Sequence, residues 1–406
     1  MRYDVIVVGA GPAGSTAARE CATRGLSVLL LDKAEFPRDK PCGGAVSVRA
    51  ANLLPFDLAP VTERVITGLQ LTIRQSKAFT HHTSKELVYL TQRSRLDAFL
   101  LDRALEAGVL LRESATVKEI VRRPTHVVVR TGSEVVEGTA LVAADGANGQ
   151  TARKAGIETR LKHWIALEGN ITPPNGVPDE WGQVLGLDLG GMEGGYGWIF
   201  PKADHLNIGL GGWKYIGSTL RERLDGLVRY YGYAPSDVLG LRGHHLPMRQ
   251  RGSTLADGNV LLVGDAAGLI DPISSEGIFS AIWSGRAAAA HLTAYAAGEV
   301  SDLSEYRREV EREMVPDLSV SRQFHDLLHL SPALYVWIDR HTPIIWSLIC
   351  RILRGEQTYV DVMLNHPIMA TFIDFLSDLV RVTPTLQRMA GLRDAAPPER
   401  FFRRGA

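Results

Sequence analysis

The stretch Tyr3-Asp4-Val5-Ile6-Val7-Val8-Gly9-Ala10-Gly11-Pro12-Ala13-Gly14 decides the fold. An apolar run of strand length enters Gly-x-Gly-x-x-Gly directly, and helical character follows from Ala13 to about Arg24. Ser27 to Leu31 returns to a strand, which completes a βαβ unit. In such a unit the first glycine allows a tight turn, the second lets the backbone approach a pyrophosphate, and the third lets helix and strand pack closely. The helix start adds N–H donors and partial positive charge. Asp32 ends the second strand, followed by Lys33. A carboxylate there accepts ribose hydroxyls and repels a ribose phosphate, so the pattern fits a dinucleotide other than NADP.

Composition narrows the class. The chain has 406 residues, 45% of them hydrophobic and 22% charged, which suits a folded protein with a large core in two joined lobes or one large α/β domain. Lys plus Arg and Asp plus Glu both number 45, so no cationic excess points to nucleic acid. Cys21, Cys42 and Cys350 form no CxxC pair, which argues against a disulfide scaffold, a thiolate zinc site and a disulfide-reductase mechanism. The neighbours His81-His82 and His244-His245 point to opposite faces of a strand, so no metal is expected. No Gly-x-Ser-x-Gly elbow marks a hydrolase. No secretory pattern and no long apolar stretch is seen, so a cytoplasmic protein without a spanning helix is expected.

Along the chain, a helix is expected over Ser94 to Ala107, with Gly108 at its C-cap. Strands are expected over Glu113 to Arg122, His126 to Thr131 and Ala140 to Ala144, then a Gly- and Trp-rich sheet over 160–250. Asn259 to Val263 reads as a buried strand ending at Gly264-Asp265. Helices follow Gly277, broken at Pro316, Pro332, Pro343, Pro367 and Pro384. The expected architecture is α/β: a discontinuous Rossmann-type nucleotide domain (1–75, 92–158, 250–300), an inserted mixed β-sheet substrate domain (76–91, 159–249) and a C-terminal helical region (301–406).

Four further segments carry a resemblance. Pro37-Arg38-Asp39-Lys40-Pro41-Cys42-Gly43-Gly44, Arg93-Ser94-Arg95-Leu96-Asp97, Ala144-Asp145-Gly146 and Leu262-Val263-Gly264-Asp265-Ala266 resemble, in order, motifs of the geranylgeranyl reductase family of p-hydroxybenzoate-hydroxylase-like flavoproteins. The likeness spans residues 1 to about 290 and implies an FAD-binding fold. It implies that Gly9, Gly11, Ala13, Gly14, Asp32, Lys33, Cys42, Gly43, Gly44, Ala45, Arg93, Val117, Asp265, Gly277 and Ile278 meet the cofactor. Arg93 would neutralise phosphate charge, Asp265 would accept a ribityl hydroxyl, and the Val117 backbone would meet adenine. For Val117 a core-strand reading stands equally open. The usual Ser and Arg after Asp145-Gly146 are replaced by Gly149 and Ala152, which leaves a structural turn open there.

Tyr196, Trp198 and Phe200 are spaced by two and share one face of a strand, with Gly209-Leu210-Gly211-Gly212 following. The family resemblance makes this the substrate wall, suited to a prenyl chain, while an ordinary core strand is the alternative. Cys42 and Tyr196 are the candidate catalytic residues; for Cys42, proton donation and simple packing both stay open, whereas Cys21 and Cys350 read as structural. Lys202, Lys214, Arg249 and Arg251 are candidates to meet a diphosphate.

The resemblance implies a reductase that saturates double bonds of a polyprenyl chain in a lipid, diphosphate or quinone, re-reduced by NAD(P)H or an electron-transfer protein. The alternatives are a flavin-dependent monooxygenase or halogenase acting on an aromatic ring, and a flavin-bearing lipid carrier. Tyr196-Gly197-Trp198-Ile199-Phe200-Pro201 departs from the halogenase Trp-x-Trp-x-Ile-Pro motif. The apolar segment 343–353 reads as a core helix or as a peripheral membrane lip with Trp346 exposed.

Overall fold

The opening strand, Arg2–Val8, is buried from Val5 to Val8 and lies inside a parallel sheet. A strand covered on both faces needs apolar residues at every position, which is why this run does not alternate. In the computed structural model, which describes residues 2–389, it pairs with Val28–Leu31 on one side and Val135–Ala143 on the other. Leu110–Arg112 and Val260–Leu262 extend the sheet in parallel. The sheet thus joins the βαβ unit, the middle strands and the strand that leads to Gly264-Asp265, as expected.

The expected strand from Glu113 to Arg122 is interrupted. Leu110–Arg112 and Glu119–Arg122 form instead, because Ser114 takes a positive φ of 53° and the Ala115 N–H turns to the Asp32 carbonyl at 2.7 Å. The strand expected from Ala140 begins at Val135, since it pairs with Arg2–Val8 and with Val127–Arg130.

The chain divides into two compact units. The first comprises residues up to Lys40, 93–162 and 246–316; the second comprises 41–92, 163–245 and the chain from Asp317. Residues 41–75, grouped above with the nucleotide domain, and the later C-terminal helices both fall in the second unit. Gly68–Ile73 shows why: it pairs in parallel with Val184–Met192, six residues on six, inside the Gly- and Trp-rich sheet.

That sheet contains seven strands, with Leu161–Ile171, Leu206–Trp213, Gly195–Pro201 and Val184–Met192 in spatial order. Its two faces differ. Ile208, Leu210, Ile216, Leu220, Leu224 and Leu227 form a core beneath the Leu220–Tyr230 helix. The opposite face carries the residues that alternate with these, including Trp164, Tyr196, Trp198 and Gly209.

All five proline breaks occur at helix starts. Pro332, Pro367 and Pro384 are first residues, Pro316 is second in Val315–Leu330, and Pro343 caps Ile344–Arg354. Proline lacks the N–H that a helix start leaves unpaired anyway, and its φ is already helical. Of the two readings of 343–353, the packing favours the core helix over a lip with Trp346 exposed: Trp346 is half-buried and stacks on His81 at 5.1 Å, while His81 meets the Asp339 carboxylate at 3.0 Å. Among the described residues no helix is long and apolar enough to cross a membrane.

Candidate active site

In the first unit, two helix starts converge. Gly9 at φ 104° turns the chain out of the first strand, and Pro12–Thr23 begins with Gly11 as its cap residue and no side chain capping it. A Cβ on Gly14 would lie 1.8 Å from the Gly9 carbonyl oxygen, so only glycine fits there. A Cβ on Gly11 would meet only the Arg38 guanidinium, at 3.5 Å, so that side of the loop is open. The second helix, Ile278–Ala296, starts after Gly277, again with no side-chain cap. It packs so closely on the first that a Cβ on Gly285 would be 2.7 Å from the Ala13 carbonyl oxygen. Asp265 sits at its start, with its Oδ1 2.9 Å from where a Gly277 Cβ would be, and Lys40 approaches its other oxygen at 3.4 Å. Both helix starts present N–H groups without intrahelical acceptors.

Around this cradle the charges are ordered by Asp97. Its carboxylate is fully buried and takes Arg93 in a two-pronged pair, 2.8 Å at each oxygen, plus Arg38 at 3.0 Å. Two guanidiniums meet at this carboxylate, and that of Arg38 brings positive charge beside Gly11. Asp32 is buried, and its oxygens accept the Ala10 N–H at 2.7 Å and the Ala34 N–H at 2.9 Å. Lys33 next to it is exposed. The Val117 carbonyl accepts from the Lys154 ammonium and its side chain is buried. Asp145 accepts the Gln150 and Thr151 N–H groups at 2.7 and 2.8 Å and the Thr151 hydroxyl at 2.7 Å, which is the structural turn left open by the sequence.

In the second unit, the aromatic face continues further than the sequence suggested. Tyr196, Trp198 and Phe200 do share a face, with ring centroids 6.3 Å apart at each step, and Trp164 extends the row 6.3 Å beyond Tyr196. Trp198 lies across Gly209: a Cβ there would be 2.3 Å from its ring and 2.8 Å from the Cβ of Glu168. The indole N–H of Trp198 donates to Asn207 Oδ1 at 2.9 Å, and Asn207 in turn donates to Asn170.

The loop Cys42-Gly43-Gly44 rests on this face. A Cβ on Gly43 would be 2.7 Å from the Phe200 ring and 3.5 Å from Trp198 Nε1. The Cys42 N–H donates to Glu168 Oε1 at 2.5 Å, and the Gly44 N–H points to Cys42 Sγ at 3.3 Å. Gly44 has φ 66° and no room for a side chain, and Ala45 opens the short strand that follows it. Beneath the loop, the buried Lys202 ammonium donates to the Gly43 carbonyl at 2.6 Å and the Thr91 carbonyl at 2.9 Å. Burial lowers its pKa to about 8, opposed by the nearby Cys42, Glu63 and Glu168. Lys202 is therefore committed to the loop rather than exposed for a diphosphate. Cys21, by contrast, is on the buried face of the first helix, where desolvation pushes its thiol up to about 12.

The model of an FAD binding domain matches residues 2–179. A menaquinone reductase of Mycolicibacterium smegmatis is 32% identical, covering 75% of this chain and 78% of that protein. A geranylgeranyl diphosphate reductase of Rhodobacter capsulatus is 31% identical, covering 80% and 84%. The chain belongs to the geranylgeranyl reductase family. Solved structures show the fold: a geranylgeranyl bacteriochlorophyll reductase-like protein of Thermoplasma acidophilum (TM-score 0.72, 24% identity, 80% of this chain and 87% of that one) and a flavin-dependent brominase (TM-score 0.68, 20% identity, 87% and 94%).

As a member of the geranylgeranyl reductase family, the protein is an FAD-dependent oxidoreductase, and its first unit fits that cofactor. Two uncapped helix starts, the open side of Gly11 and the Arg38 guanidinium beside it suit a pyrophosphate, and Asp265 at the second helix suits a hydroxyl-bearing linker. Two contributors, Arg38 and Glu168, were not singled out from sequence, and Lys202 was read there for a different role. Arg38, not Arg93, is the guanidinium next to Gly11, and Arg93 with Asp97 positions it. The Arg93–Asp97 spacing of four residues was the available signal. Glu168 is an acid on an otherwise aromatic and small-residue face, which alternation along Leu161–Ile171 could have flagged. Lys202 gave no sign of its loop role, because its partners are distant in sequence.

Proposed function

We propose that this oxidoreductase saturates carbon–carbon double bonds of a polyprenyl chain carried by a lipid, a diphosphate or a quinone. The observation that carries this reading is the Trp164–Tyr196–Trp198–Phe200 row laid over Gly209 and Gly211, bordered by the Cys42-Gly43-Gly44 loop. Flat aromatic faces with glycines between them suit the flat, methyl-branched run of an isoprene chain. The names of the two relatives point the same way.

Bound in its reduced form, FAD supplies the hydride, and a proton completes the addition: one π bond breaks, two C–H bonds form, and the substrate gains two electrons. The residues of the chain position and desolvate. The aromatic row holds the chain and keeps water out. Gly9, Gly11, Ala13, Gly14, Asp32, Arg38, Arg93, Asp265, Gly277 and Ile278 hold the cofactor in this reading, with Lys33 and Val117 at its adenosine end. Cys42, at the border of the row, and Tyr196, within it, are the candidate protic side chains. The Glu168 and Gly44 bonds fix the backbone and sulfur of Cys42. NAD(P)H or a small electron-transfer protein restores the reduced cofactor. Such substrates reside in bilayers, so the reading includes a peripheral membrane contact and a cytoplasmic setting.

The test is anaerobic. Protein reduced with dithionite should regain flavin absorbance on addition of a geranylgeranyl lipid or a menaquinone, and the product should gain one hydrogen pair per bond reduced. Recovery of colour only on admitting oxygen would replace this reading with hydroxylation or halogenation of an aromatic ring.

A further inference from the structure

The Val315–Leu330 helix turns a polar stripe inward. After Arg322 come His325, Asp326 and His329, three, four and seven residues on, which is one helix face. His325, Asp326 and His329 are buried, and the Arg322 side chain is mostly so. Apolar residues would pack here at lower cost, because buried charges need partners. Asp326 accepts from Arg322 Nε at 2.7 Å and faces His325 Nδ1 at 3.0 Å. Burial opposes its charge, yet Arg322 and His325 outweigh burial and hold its carboxyl below the usual range. Burial and the neighbouring His325 push His329 well below the ordinary histidine value, so it stands beside His325 as a neutral ring, centroids 4.5 Å apart.

The stripe reaches the sheet at one turn. His325 Nε2 meets the Gly194 carbonyl at 3.2 Å, so both ring nitrogens face acceptors, and a doubly protonated ring donates to both. Gly194 has φ 64°, and a Cβ on it would be 2.0 Å from Trp213 Nε1. The Arg322 guanidinium lies over the ring of the same Trp213, 4.6 Å from its centroid. A Cβ on Gly195 would be 1.8 Å from the Gly211 carbonyl oxygen. Helix and sheet thus grip this turn from two sides. Two successive glycines have the most backbone freedom to lose, so an anchor at their carbonyl decides where the next strand begins. Tyr196 is the next residue, and its neighbour in the row, Trp164, has its ring 5.4 Å from His325. We infer that His325, oriented by Asp326, is a positioning residue that holds the Gly194 turn and thereby fixes Tyr196 in the aromatic row. The choice of Tyr196 as the side chain that matters rests on the proposed function, whereas the hold on the turn rests on the geometry alone. A helix outside the matched residues 2–179 thereby serves the candidate substrate wall.

The experiment uses full-length holoprotein. Hydrogen exchange in peptides over residues 193–197 should be at least about tenfold faster in His325→Leu than in wild type. His325→Gln keeps a side-chain N–H for the Gly194 carbonyl and should restore most of the protection. In the anaerobic assay with a geranylgeranyl lipid, His325→Leu should lower the limiting rate of flavin reoxidation at least about tenfold, with the half-saturating lipid concentration within about twofold. In a Tyr196→Phe background the same substitution should cost less than about twofold, because the hydroxyl it positions is already gone. Should His325→Leu lose its flavin absorbance, Asp326→Asn, which removes the carboxylate that orients the ring, repeats the test. Exchange left unchanged by these substitutions overturns the inference. So does a Gln variant that exchanges as fast as the Leu variant, since the donated bond is then not what holds the turn. A rate loss that persists in full without the Tyr196 hydroxyl overturns it too, because His325 then acts elsewhere. Wild-type flavin that no prenyl lipid reoxidises sinks the proposed function alone, and the exchange result still decides whether His325 holds the turn.

Discussion

The ammonium of Lys202 lies 2.6 Å from the carbonyl oxygen of Gly43. The end of the aromatic strand thereby holds the loop that carries Cys42, and a second bond to Thr91 at 2.9 Å locks the lysine in place. The pair couples two motifs 159 residues apart in the chain.

Lys202 should impose a pH signature on stability. Its pKa falls from 10.5 to about 8 through burial, so between these values the unfolded chain binds a proton that the folded one has released. Stability therefore rises with pH across that window, and the cost of burying the charge is fully present below about 8. The neutral amine keeps two N–H groups for its two carbonyls. Lys202→Met strands both carbonyls and should cost about 2 kcal/mol at pH 7. The gap between wild type and variant in denaturant unfolding should widen from pH 7 to pH 10. A gap independent of pH would remove the lysine from this account.

Gly11→Ala and Gly14→Ala should fail differently. At Gly14 the new methyl would strike the Gly9 carbonyl, so the loop itself must distort and thermal stability should fall. At Gly11 it meets only the end of Arg38, so the protein should fold normally yet bind FAD at least about tenfold more weakly. Flavin fluorescence titration alongside thermal melts separates the two. Equal melting temperatures for both variants would refute the distinction.

Arg38→Ala should weaken FAD binding about tenfold with little change in stability, because Arg93 still pairs with Asp97 in its absence. Asp97→Ala leaves two guanidiniums without their carboxylate and should cost about 3 kcal/mol or more. Unfolding curves and FAD titrations of both variants check this; a larger stability loss in Arg38→Ala would invert the assignment.

Trp198→Ala should reduce turnover on long prenyl substrates about tenfold while FAD stays bound, a loss of about 1.4 kcal/mol in transition-state stabilisation. Gly209→Val should have the same effect by pushing the Trp198 ring out of the row, since the first added carbon already overlaps it. Equal loss of flavin in either variant would place Trp198 against the cofactor rather than the substrate.

What could be read from the sequence was whatever the local backbone demands. The glycines at 9, 11 and 14, the strand before them, the prolines that open helices and the two-residue spacing of Tyr196, Trp198 and Phe200 impose their geometry within a few residues, so the nucleotide fold and the aromatic row were legible. The order of short motifs added the cofactor. Partner choice was decided only in three dimensions. Arg93 and Arg38 look interchangeable in the chain, yet Arg93 lies one helical turn from Asp97 and Arg38 crosses from a distant loop to stand by Gly11. Trp346 and Phe372 both sit in apolar helices, yet packing against His81 half-buries the first and nothing described covers the second. Direction and burial of a side chain depend on residues tens to hundreds of positions away, and no local pattern encodes that distance.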